Sequence, residues 1–458
     1  MVKTLSKSTI LMFLYDLFVL ILSSIYFLSP HKLTIPIKCL SIVLISFVGI
    51  FSLYLKDNYK IREFNITKKN LYKLFEGVVF AHCISFILLL FFLSWNETVK
   101  FVLTNICVIY FLLAAYRACF HFYLFKIKKP TNILIIGTGR EAKLIADEIV
   151  NKYALKMKVI GFFSDSYTDG EIVKGENYKI FDNNSDIRQI IEDNKVEIVI
   201  VAIKRRMEDE LLSRMIFGIP RRVKLYKMTD FYELVTGKYY INRMSINHLF
   251  YDFMNKRSVL YSFCKRAFDI VAALIILTVM FPVLLYIAVR VKLTDGGSPI
   301  YTQNRIGRNG KPFKCYKLRT MYVNDYVPKD VKEGGYAENQ DKDDRVIPFC
   351  RFVRKARFDE IPQMINILKG EMSIVGPRTE WEDLVKIYSK EIPYYTCRQW
   401  VKTGWTGWAQ INQGHCISND DISEKLQYDL FYLKHRNIFW EISILVKAVF
   451  LALGGRHD

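Results

Sequence analysis

The sequence predicts a membrane protein that joins an α-helical bundle to α/β domains. Three observations predict this class: four apolar runs fill the first 125 residues, a strand–glycine turn–helix pattern begins at residue 131, and the chain beyond residue 294 is polar and rich in arginine and glycine. A chain of 458 residues is long enough for two or three domains with separate cores. We expect four parts, over residues 1–125, 131–250, 258–293 and 294–458.

Composition and charge restrict the partners of the chain. Hydrophobic residues make up 51% of it, and its formal net charge is +20. Excess positive charge on so apolar a chain fits an anionic membrane face or a phosphate-bearing substrate better than nucleic acid. The nine cysteines form no Cys-x-x-Cys pair and no zinc-ligand spacing, which indicates reduced thiols in the cytoplasm.

Four transmembrane helices are predicted from runs that approach the roughly 20 residues needed to cross a bilayer. The runs are Thr9–Leu28, Leu33–Leu55, Leu74–Ser94 and Phe101–Leu124. Basic residues crowd the loop after the second run and the segment after the fourth, whereas the other two connections hold one lysine each. The preference of basic loops for the cytoplasm then places the N-terminus and everything after residue 125 on that side.

Four ionisable residues lie inside these runs: Asp16, Glu76, His82 and Arg117. Ionisable groups within a membrane are functional candidates. Positions that face the interior of the bundle, or that reach back to the membrane surface, explain them equally well. Both interpretations stay open at the level of the sequence.

A Rossmann-like parallel α/β domain is predicted for residues 131–250. The stretch "TNILIIGTGREAKLIADEIV" is typical of a buried strand, a glycine turn and an amphipathic helix. Its turn, Gly137-x-Gly139-x-x-Ala142, matches the dinucleotide fingerprint, in which glycines admit a pyrophosphate to the helix N-terminus. The pattern can also be architecture alone, and Asp165 is only roughly placed for a ribose. Gly137 and Gly139 are therefore candidate nucleotide-binding residues.

Redox chemistry beside such a cofactor is disfavoured. A short-chain dehydratase needs a Tyr-x-x-x-Lys pair next to the nucleotide, and the chain offers only Tyr261 and Lys265. That pair stands at the foot of the next apolar segment rather than in the Rossmann-like domain.

The apolar segment 264–293 is predicted to enter the membrane without crossing it. Its core, Ile270–Val289, is long enough to span, but basic residues flank it on both sides. Pro282 lies inside it, where proline removes a helix hydrogen bond and forces a kink. A crossing would place the basic region 294–458 outside the cell, against the charge rule. A re-entrant hairpin resolves that conflict, and an ordinary kinked transmembrane helix is the alternative.

The stretch "RKARFDEIPQMINILKGEMSIVGPR" (354–378) predicts a helix with Asp359 as its N-cap and Gly370 as its stop. Capping and the helix dipole would by themselves explain Asp359 and Glu360. The basic residues on both sides, among them Arg354 and Arg378, favour another role. A carboxylate, a divalent ion and several arginines are what a phosphoryl transfer needs.

Further candidate residues precede this helix. The stretch "GSPIYTQNRIGRNGKPFKCYKLRTM" (297–321) is typical of a short β element and supplies Gln303, Arg305, Lys317 and Arg319. The later "DKD" at Asp341–Asp343 matches the metal motif of nucleotide-sugar glycosyltransferases. So short a match in a charged loop is more often a solvated turn.

Five motifs carry a resemblance to a known family: "KRAFD", "SPIYTQNRIGRNGKPFKCYKLRTM", "DEIPQMINILKGEMSIVGPR", "VKTGWTGWAQIN" and "YDLFYL". Through them the region from Lys265 to about Leu453 resembles the catalytic domain of the bacterial polyprenyl-phosphate phosphoglycosyl transferases. This monotopic superfamily begins exopolysaccharide, capsule and O-antigen synthesis. The upstream parts look like those of its large members, and a re-entrant hairpin with a proline is a family feature.

The resemblance implies a transfer in two steps. Asp359 would attack the sugar-linked phosphate of a UDP-sugar, and polyprenyl phosphate would then attack the phosphosugar on Asp359. Glu360 would position the site or assist deprotonation of the acceptor, and Mg²⁺ would bridge Asp359 and the diphosphate. Arg354 and Arg378 would hold phosphate, and we place the four residues Gln303, Arg305, Lys317 and Arg319 among the substrate-binding candidates.

The resemblance also implies a place and partners for the protein. It points to a multi-pass protein of the bacterial cytoplasmic membrane whose catalytic domain, over 294–458, faces the cytoplasm. A homodimer and polysaccharide assembly proteins are compatible partners. The sequence departs from the family pattern at Ala356-Arg357-Phe358, Cys350, Thr379 and Trp405. None of these departures removes the carboxylate pair, so they leave open the preferred sugar rather than the chemistry.

Overall fold

The computed structural model forms two compact units, Met1–Thr236 and Gly237–Asp458. It describes residues 7–29, 34–55, 68–122, 130–152, 157–163, 178–181, 186–203, 219–243, 250–254, 258–322, 345–413 and 418–454. The boundary lies before residue 250, the predicted end of the Rossmann-like domain. Tyr239 and Phe253 belong to the core of the second unit, and the backbone N–H of Tyr239 donates to Gln427 there.

Four long helices open the first unit, as predicted. They are α1 (Lys7–Leu28), α2 (Ile35–Leu55), α3 (Lys68–Leu89) and α4 (Trp95–Phe122). Their shared core includes Leu20, Leu53, Leu74 and Ile109. Within the described residues, α4 is long and apolar enough to cross a membrane, whereas α1 and α2 hold shorter apolar stretches. That all four helices span the membrane stays a prediction.

Polar side chains inside this bundle bind one another. The buried Asp16 accepts two hydrogen bonds from the Arg117 guanidinium, at 3.1 and 3.0 Å. The neighbouring rings of Tyr15 and Tyr116 stack with centroids 3.7 Å apart. His82 is buried, and its Nδ1 lies 2.7 Å from the carbonyl oxygen of Val78. Asp16, Arg117 and His82 therefore face the interior of the bundle, which is one of the two interpretations that the sequence left open.

A parallel five-stranded sheet follows in the order β3-β2-β1-β4-β5. Its strands are β1 (Thr131–Ile136), β2 (Met157–Phe163), β3 (Lys179–Phe181), β4 (Val196–Val201) and β5 (Lys224–Lys227). The described helices of this sheet are α5 (Arg140–Lys152), α6 (Ile187–Asp193) and α7 (Met228–Thr236). The strand order reverses between β1 and β4, which is where ligands bind in doubly wound folds. The Rossmann-like prediction is confirmed for the sheet.

The glycine turn after β1 has two different glycines. Gly137 has φ +108°, and an added Cβ would come within 2.7 Å of the Ala202 carbonyl oxygen, so only glycine fits there. An added Cβ at Gly139 would meet nothing within 4 Å. Architecture therefore accounts for Gly137, and nucleotide binding at Gly137 and Gly139 stays a prediction. Asp165 lies outside the described residues.

One helix, α8 (Val259–Asp295), accounts for the apolar segment after residue 258. Ser258 caps its start, Gly296 ends it in the left-handed conformation, and Pro282 lies inside it. Pro282 therefore does not divide the segment into two separate helices. By length and composition α8 could cross a membrane. That both ends of α8 lie at the same membrane face stays a prediction.

Other parts of the second unit bind α8 near both of its ends. Near its start, the Arg266 guanidinium donates to the carbonyl oxygens of Ile367 and Leu368, at 2.6 and 2.8 Å. At its end, Asp295 accepts a hydrogen bond from Arg319 at 2.8 Å. Between these anchors, large apolar side chains of α8 are exposed: Val271, Leu274, Ile275, Val279, Phe281, Leu285, Tyr286 and Val289.

The rest of the second unit is an α/β domain with small sheets. An antiparallel sheet in the order β7-β6-β9 contains β6 (Ile300–Ile306), β7 (Pro312–Leu318) and β9 (Glu380–Trp381). A parallel pair joins β8 (Ser373–Val375) to β10 (Gly404–Thr406). The helices are α9 (Cys350–Lys355), α10 (Gln363–Lys369), α11 (Glu382–Glu391), α12 (Trp408–Asn412), α13 (Asn419–His435) and α14 (Ile438–Gly454).

Candidate active site

Asp359 and Glu360 lie in a 3-10 turn, Phe358–Glu360, between α9 and α10. The N-cap of α10 is Pro362, so the prediction that Asp359 caps this helix is wrong. The chain turns at Arg357, whose φ of 56° is left-handed and costs a non-glycine residue roughly 1–2 kcal/mol. The Asp359 carboxylate is thus not needed as an N-cap. The predicted stop at Gly370 is confirmed, with φ 84°.

Glu360 is a buried carboxylate held by two cations. Its Oε1 accepts hydrogen bonds from the Lys317 ammonium at 3.1 Å and from the Arg378 guanidinium at 2.9 Å. Burial raises the pKa of Glu360, but the nearby charges of Arg378 and Lys317 outweigh it and hold the pKa well below its usual range. Glu360 therefore stays ionised and ties β7 to the turn after β8.

Asp359 lies next to this ion cluster but outside its salt bridges. Among the described residues, no lysine or arginine forms a salt bridge with its carboxylate. Burial and the neighbouring charge of Glu360 raise the pKa of Asp359 to about 6, against the opposing effects of Lys317 and Arg354. A carboxylate that is poorly neutralised and partly exposed is well placed to react with, or to bind, an incoming electrophile.

Arg354 offers an anion contact beside Asp359. It is partly buried at the end of α9, and its Nη1 is buried without a hydrogen-bond partner among the described residues. This nitrogen is therefore free to donate to an acceptor that a substrate brings. A phosphate oxygen would supply that acceptor.

The other predicted substrate-binding residues have separate tasks. Arg305 donates to the Gln303 side chain at 3.1 and 2.8 Å and to the Thr379 carbonyl oxygen at 3.0 Å, so this pair braces the turn that carries Arg378. Arg319 is paired with Asp295 at the end of α8. The structure thus brings Lys317, Arg354 and Arg378 to the carboxylates, with Gln303 and Arg305 behind them, and pairs Arg319 with Asp295. Substrate binding by these residues stays a prediction.

Sequence reasoning missed a buried network behind Arg378. The Arg398 guanidinium lies 2.7 Å from Asp429, donates to the Arg378 carbonyl oxygen at 3.0 Å and to the Tyr395 hydroxyl at 2.7 Å. Glu380 lies 3.6 Å from Arg398, and the charges of Lys425 and Arg398 lower the pKa of Glu380 to about 2 despite its burial. The sequence signal for this network was the "YDLFYL" motif, which places the acidic Asp429 among apolar and aromatic residues.

The "KRAFD" motif anchors α8 rather than acting on substrate. Lys265 binds Glu441 at 2.7 Å and Asp269 at 3.1 Å. Asp269 accepts hydrogen bonds from the Ser373 hydroxyl and the Ile374 N–H, both at 3.0 Å. The Tyr261 hydroxyl also donates to Glu441, at 2.7 Å. Tyr261 and Lys265 are therefore parts of a structural network, which accounts for the Tyr-x-x-x-Lys spacing.

Asp359 and Glu360 differ in how well they fit the implied Mg²⁺. The described residues contain no group of three or more metal-ligating side chains. Mg²⁺ commonly takes one or two carboxylates and completes its shell with waters and substrate phosphates. Asp359 fits that pattern, because it forms no salt bridge within the described part of the chain. Glu360 fits it less well, because Lys317 and Arg378 already neutralise its charge.

Comparison with known proteins identifies the family. A family model described as bacterial sugar transferase matches residues 260–455, which contain the whole site. The undecaprenyl-phosphate galactose phosphotransferase of Salmonella typhimurium is 30% identical over 343 residues, covering 71% of this chain and 68% of that protein. This chain belongs to the bacterial sugar transferase family. That relative is named as a phosphotransferase that acts on undecaprenyl phosphate.

Other relatives of this sugar transferase match shorter regions. One, named UDP-N-acetylgalactosamine-undecaprenyl-phosphate N-acetylgalactosaminephosphotransferase, from Aeromonas hydrophila, is 34% identical over 51% of this chain. A UDP-glucose:undecaprenyl-phosphate glucose-1-phosphate transferase of Escherichia coli K12 is 40% identical over 41%. The matches span 53% and 39% of those two relatives. A second family model, described as a CoA-binding domain, matches residues 55–215.

Proposed function

We propose that this sugar transferase moves a sugar-1-phosphate from a UDP-sugar to polyprenyl phosphate, giving polyprenyl-diphosphate-sugar and UMP. The relatives' names support undecaprenyl phosphate as the acceptor and a nucleotide sugar as the donor. The observation that carries the proposal is the contrast between the two carboxylates. Glu360 is neutralised by Lys317 and Arg378, while Asp359 keeps a reactive, unpaired charge beside Arg354.

In the first step, an Asp359 carboxylate oxygen attacks the sugar-linked phosphorus of the UDP-sugar. The bond from that phosphorus to the bridging oxygen breaks, and UMP leaves with the bond's electrons. The product is a phosphosugar joined to Asp359 as an acyl phosphate. Arg354 neutralises charge on the transferring phosphate, which is the main requirement of phosphoryl transfer.

In the second step, a phosphate oxygen of the acceptor attacks the same phosphorus. The bond to Asp359 breaks, the carboxylate is regenerated, and a new diphosphate bond forms. Any proton on the acceptor phosphate is lost to solvent or to a neighbouring base. Glu360 is a poor base because its pKa is held low, so its two ion pairs favour a positioning role for it.

Mg²⁺ would be held by Asp359 together with the substrate diphosphate, and when bound it would supply positive charge to the phosphate oxygens. The chain itself orients the reacting groups. Lys317 and Arg378 fix Glu360, and Arg398 fixes the backbone at Arg378. Asp359 is the residue that the arrangement leaves available for both the phosphorus and the ion.

We also propose that the site works at the cytoplasmic face of the bacterial inner membrane, in the first membrane step of a surface polysaccharide. Both ends of α8 bind the same water-exposed domain, which supports a helix that enters and leaves on one face. The basic residues at both ends of α8 favour the cytoplasmic side.

Release of UMP from a panel of UDP-sugars tests the proposal. UDP-glucose, UDP-galactose and UDP-N-acetylgalactosamine, the sugars in the relatives' names, would be mixed with enzyme, Mg²⁺ and undecaprenyl phosphate. We expect UMP and lipid-linked sugar in equal amounts with at least one donor. Release of UDP in place of UMP would indicate an ordinary glycosyl transfer and contradict the proposal.

A further inference from the structure

An aromatic and basic surface lies between the membrane helix and Asp359. Helix α9 packs its buried side, Cys350 and Val353, against Ile287 and Val291 in the C-terminal half of α8. The remaining side of α9 faces away from this core. Because α8 is the apolar helix that enters the membrane in our proposal, α9 lies on the membrane side of the domain.

The outward side of α9 combines one aromatic and two basic side chains. Phe352 is 68% exposed, and Arg351 and Lys355 are exposed on either side of it. A single exposed phenyl ring needs no explanation by itself. This ring, however, packs edge-on against Phe358, with centroids 6.1 Å apart, and Phe358 directly precedes Asp359.

Helix α8 separately exposes apolar side chains on its far side. Leu285, Val289 and Leu293 are exposed on α8, on the side opposite Ile287 and Val291. The aromatic pair Phe352 and Phe358 leads from the exposed side of α9 to the turn that carries Asp359, with the exposed Arg351 and Lys355 beside it. That combination matches a molecule with a long hydrocarbon chain and an anionic head.

We propose that Phe352, Arg351 and Lys355 form the docking site of the acceptor, polyprenyl phosphate. This inference rests on the proposed function and assigns residues to its second substrate. The isoprene units nearest the phosphate pack on Phe352, and Arg351 and Lys355 attract the phosphate. The Phe352–Phe358 contact then places the head group next to the phosphosugar on Asp359.

The test separates the two half-reactions. Stoichiometric UMP release without acceptor reports the donor step, and transfer to undecaprenyl phosphate in vesicles reports the acceptor step. We expect Phe352→Ser to raise the KM for the acceptor about tenfold, because burying a phenyl ring is worth on the order of a tenfold to a hundredfold in binding. The donor step should keep its rate. Phe352→Leu should recover most of the loss.

Charge is tested in the same assay. Arg351→Gln combined with Lys355→Gln should raise the KM for the acceptor and weaken its dependence on salt, since two cations no longer attract the phosphate. The matched control is Phe439→Ser on α14, where an 82% exposed phenyl ring lies outside the proposed site. This control should leave the acceptor KM unchanged.

The outcomes distinguish the acceptor from ordinary lipid. A short-chain acceptor, geranyl phosphate in detergent, should show the same defect with Phe352→Ser. A defect that appears only in vesicles, together with weaker sedimentation on acceptor-free anionic vesicles, would make α9 a general lipid contact and overturn the inference. An unchanged acceptor KM would overturn it as well. A wild-type enzyme that releases no UMP without acceptor would instead contradict the covalent step of the proposed function.

Discussion

Replacing Asp359 by asparagine should abolish turnover while making the protein more stable at neutral pH. The amide is a poor nucleophile and a weak ligand for Mg²⁺, so we expect the rate to fall on the order of 10³-fold or more. Stability should rise because the folded protein holds a desolvated charge at this position. The pKa of Asp359 is raised from its ordinary 3.8 to about 6.

The sign and size of the stability change follow from that pKa. Ionising Asp359 in the folded protein costs free energy above pH about 6, and this cost vanishes below pH about 4, where the group is protonated in both states. Two units of pKa correspond to about 3 kcal/mol, and partial exposure reduces this to about 1–3 kcal/mol. Asparagine removes the cost, so its gain should be present at pH 7–8 and absent near pH 4.

Thermal unfolding in detergent at these pH values measures the gain, alongside UMP release. Asp383→Asn on α11 is the matched control, because the Asp383 side chain is 91% exposed and its ion pair with Lys386 is long, at 3.8 Å. The control should change neither activity nor stability appreciably. An active Asp359→Asn enzyme, or one destabilised by several kcal/mol at pH 7, would refute the reasoning.

The remaining predictions concern the surroundings of Asp359 and the membrane helix. For the donor, kcat/KM should fall as the pH drops below about 6, because Asp359 must be ionised to react. Glu360→Gln should shift this fall to lower pH, because it removes a neighbouring negative charge that raises the pKa of Asp359. An unshifted pH profile would contradict the coupling between the two carboxylates. Arg398→Gln should destabilise the protein by about 3–5 kcal/mol, measured by denaturation, since it removes the 2.7 Å ion-pair partner of the buried Asp429. The matched control is Lys386→Gln on the surface, which should leave the denaturation midpoint nearly unchanged. Cysteines placed at 258 and 296 in a cysteine-free background should be labelled from the same membrane face, and labelling from opposite faces would show that α8 crosses.

Local patterns were sufficient to predict much of the fold. The first two apolar runs were expected to end at Leu28 and Leu55, and α1 and α2 end there. The strand, turn and helix after residue 131 were also predicted, because a buried strand and a glycine with positive φ are local properties. Gly370 ends α10 for the same reason.

The candidate site was predictable in its residues but not in its contacts. Lys317 and Arg378 are 43 and 18 positions from Glu360 along the chain, so no local pattern shows that both bind it. The capping error at Asp359 has a similar cause, since the left-handed Arg357 starts a separate turn where the sequence shows an ordinary helix start. Arg319 pairs with Asp295 at the end of α8, a contact that the sequence could not show, and its part in substrate binding stays a prediction.

The most direct test of the account is to trap the enzyme between its two steps. Wild-type protein would be incubated with UDP-sugar and Mg²⁺ in the absence of acceptor, quenched, digested and examined by mass spectrometry. We predict a phosphosugar on the peptide that contains Asp359, formed together with an equal amount of UMP and lost when polyprenyl phosphate is added. A phosphosugar on any other residue, or lipid-linked sugar formed with no enzyme-bound intermediate, would contradict the central role of Asp359.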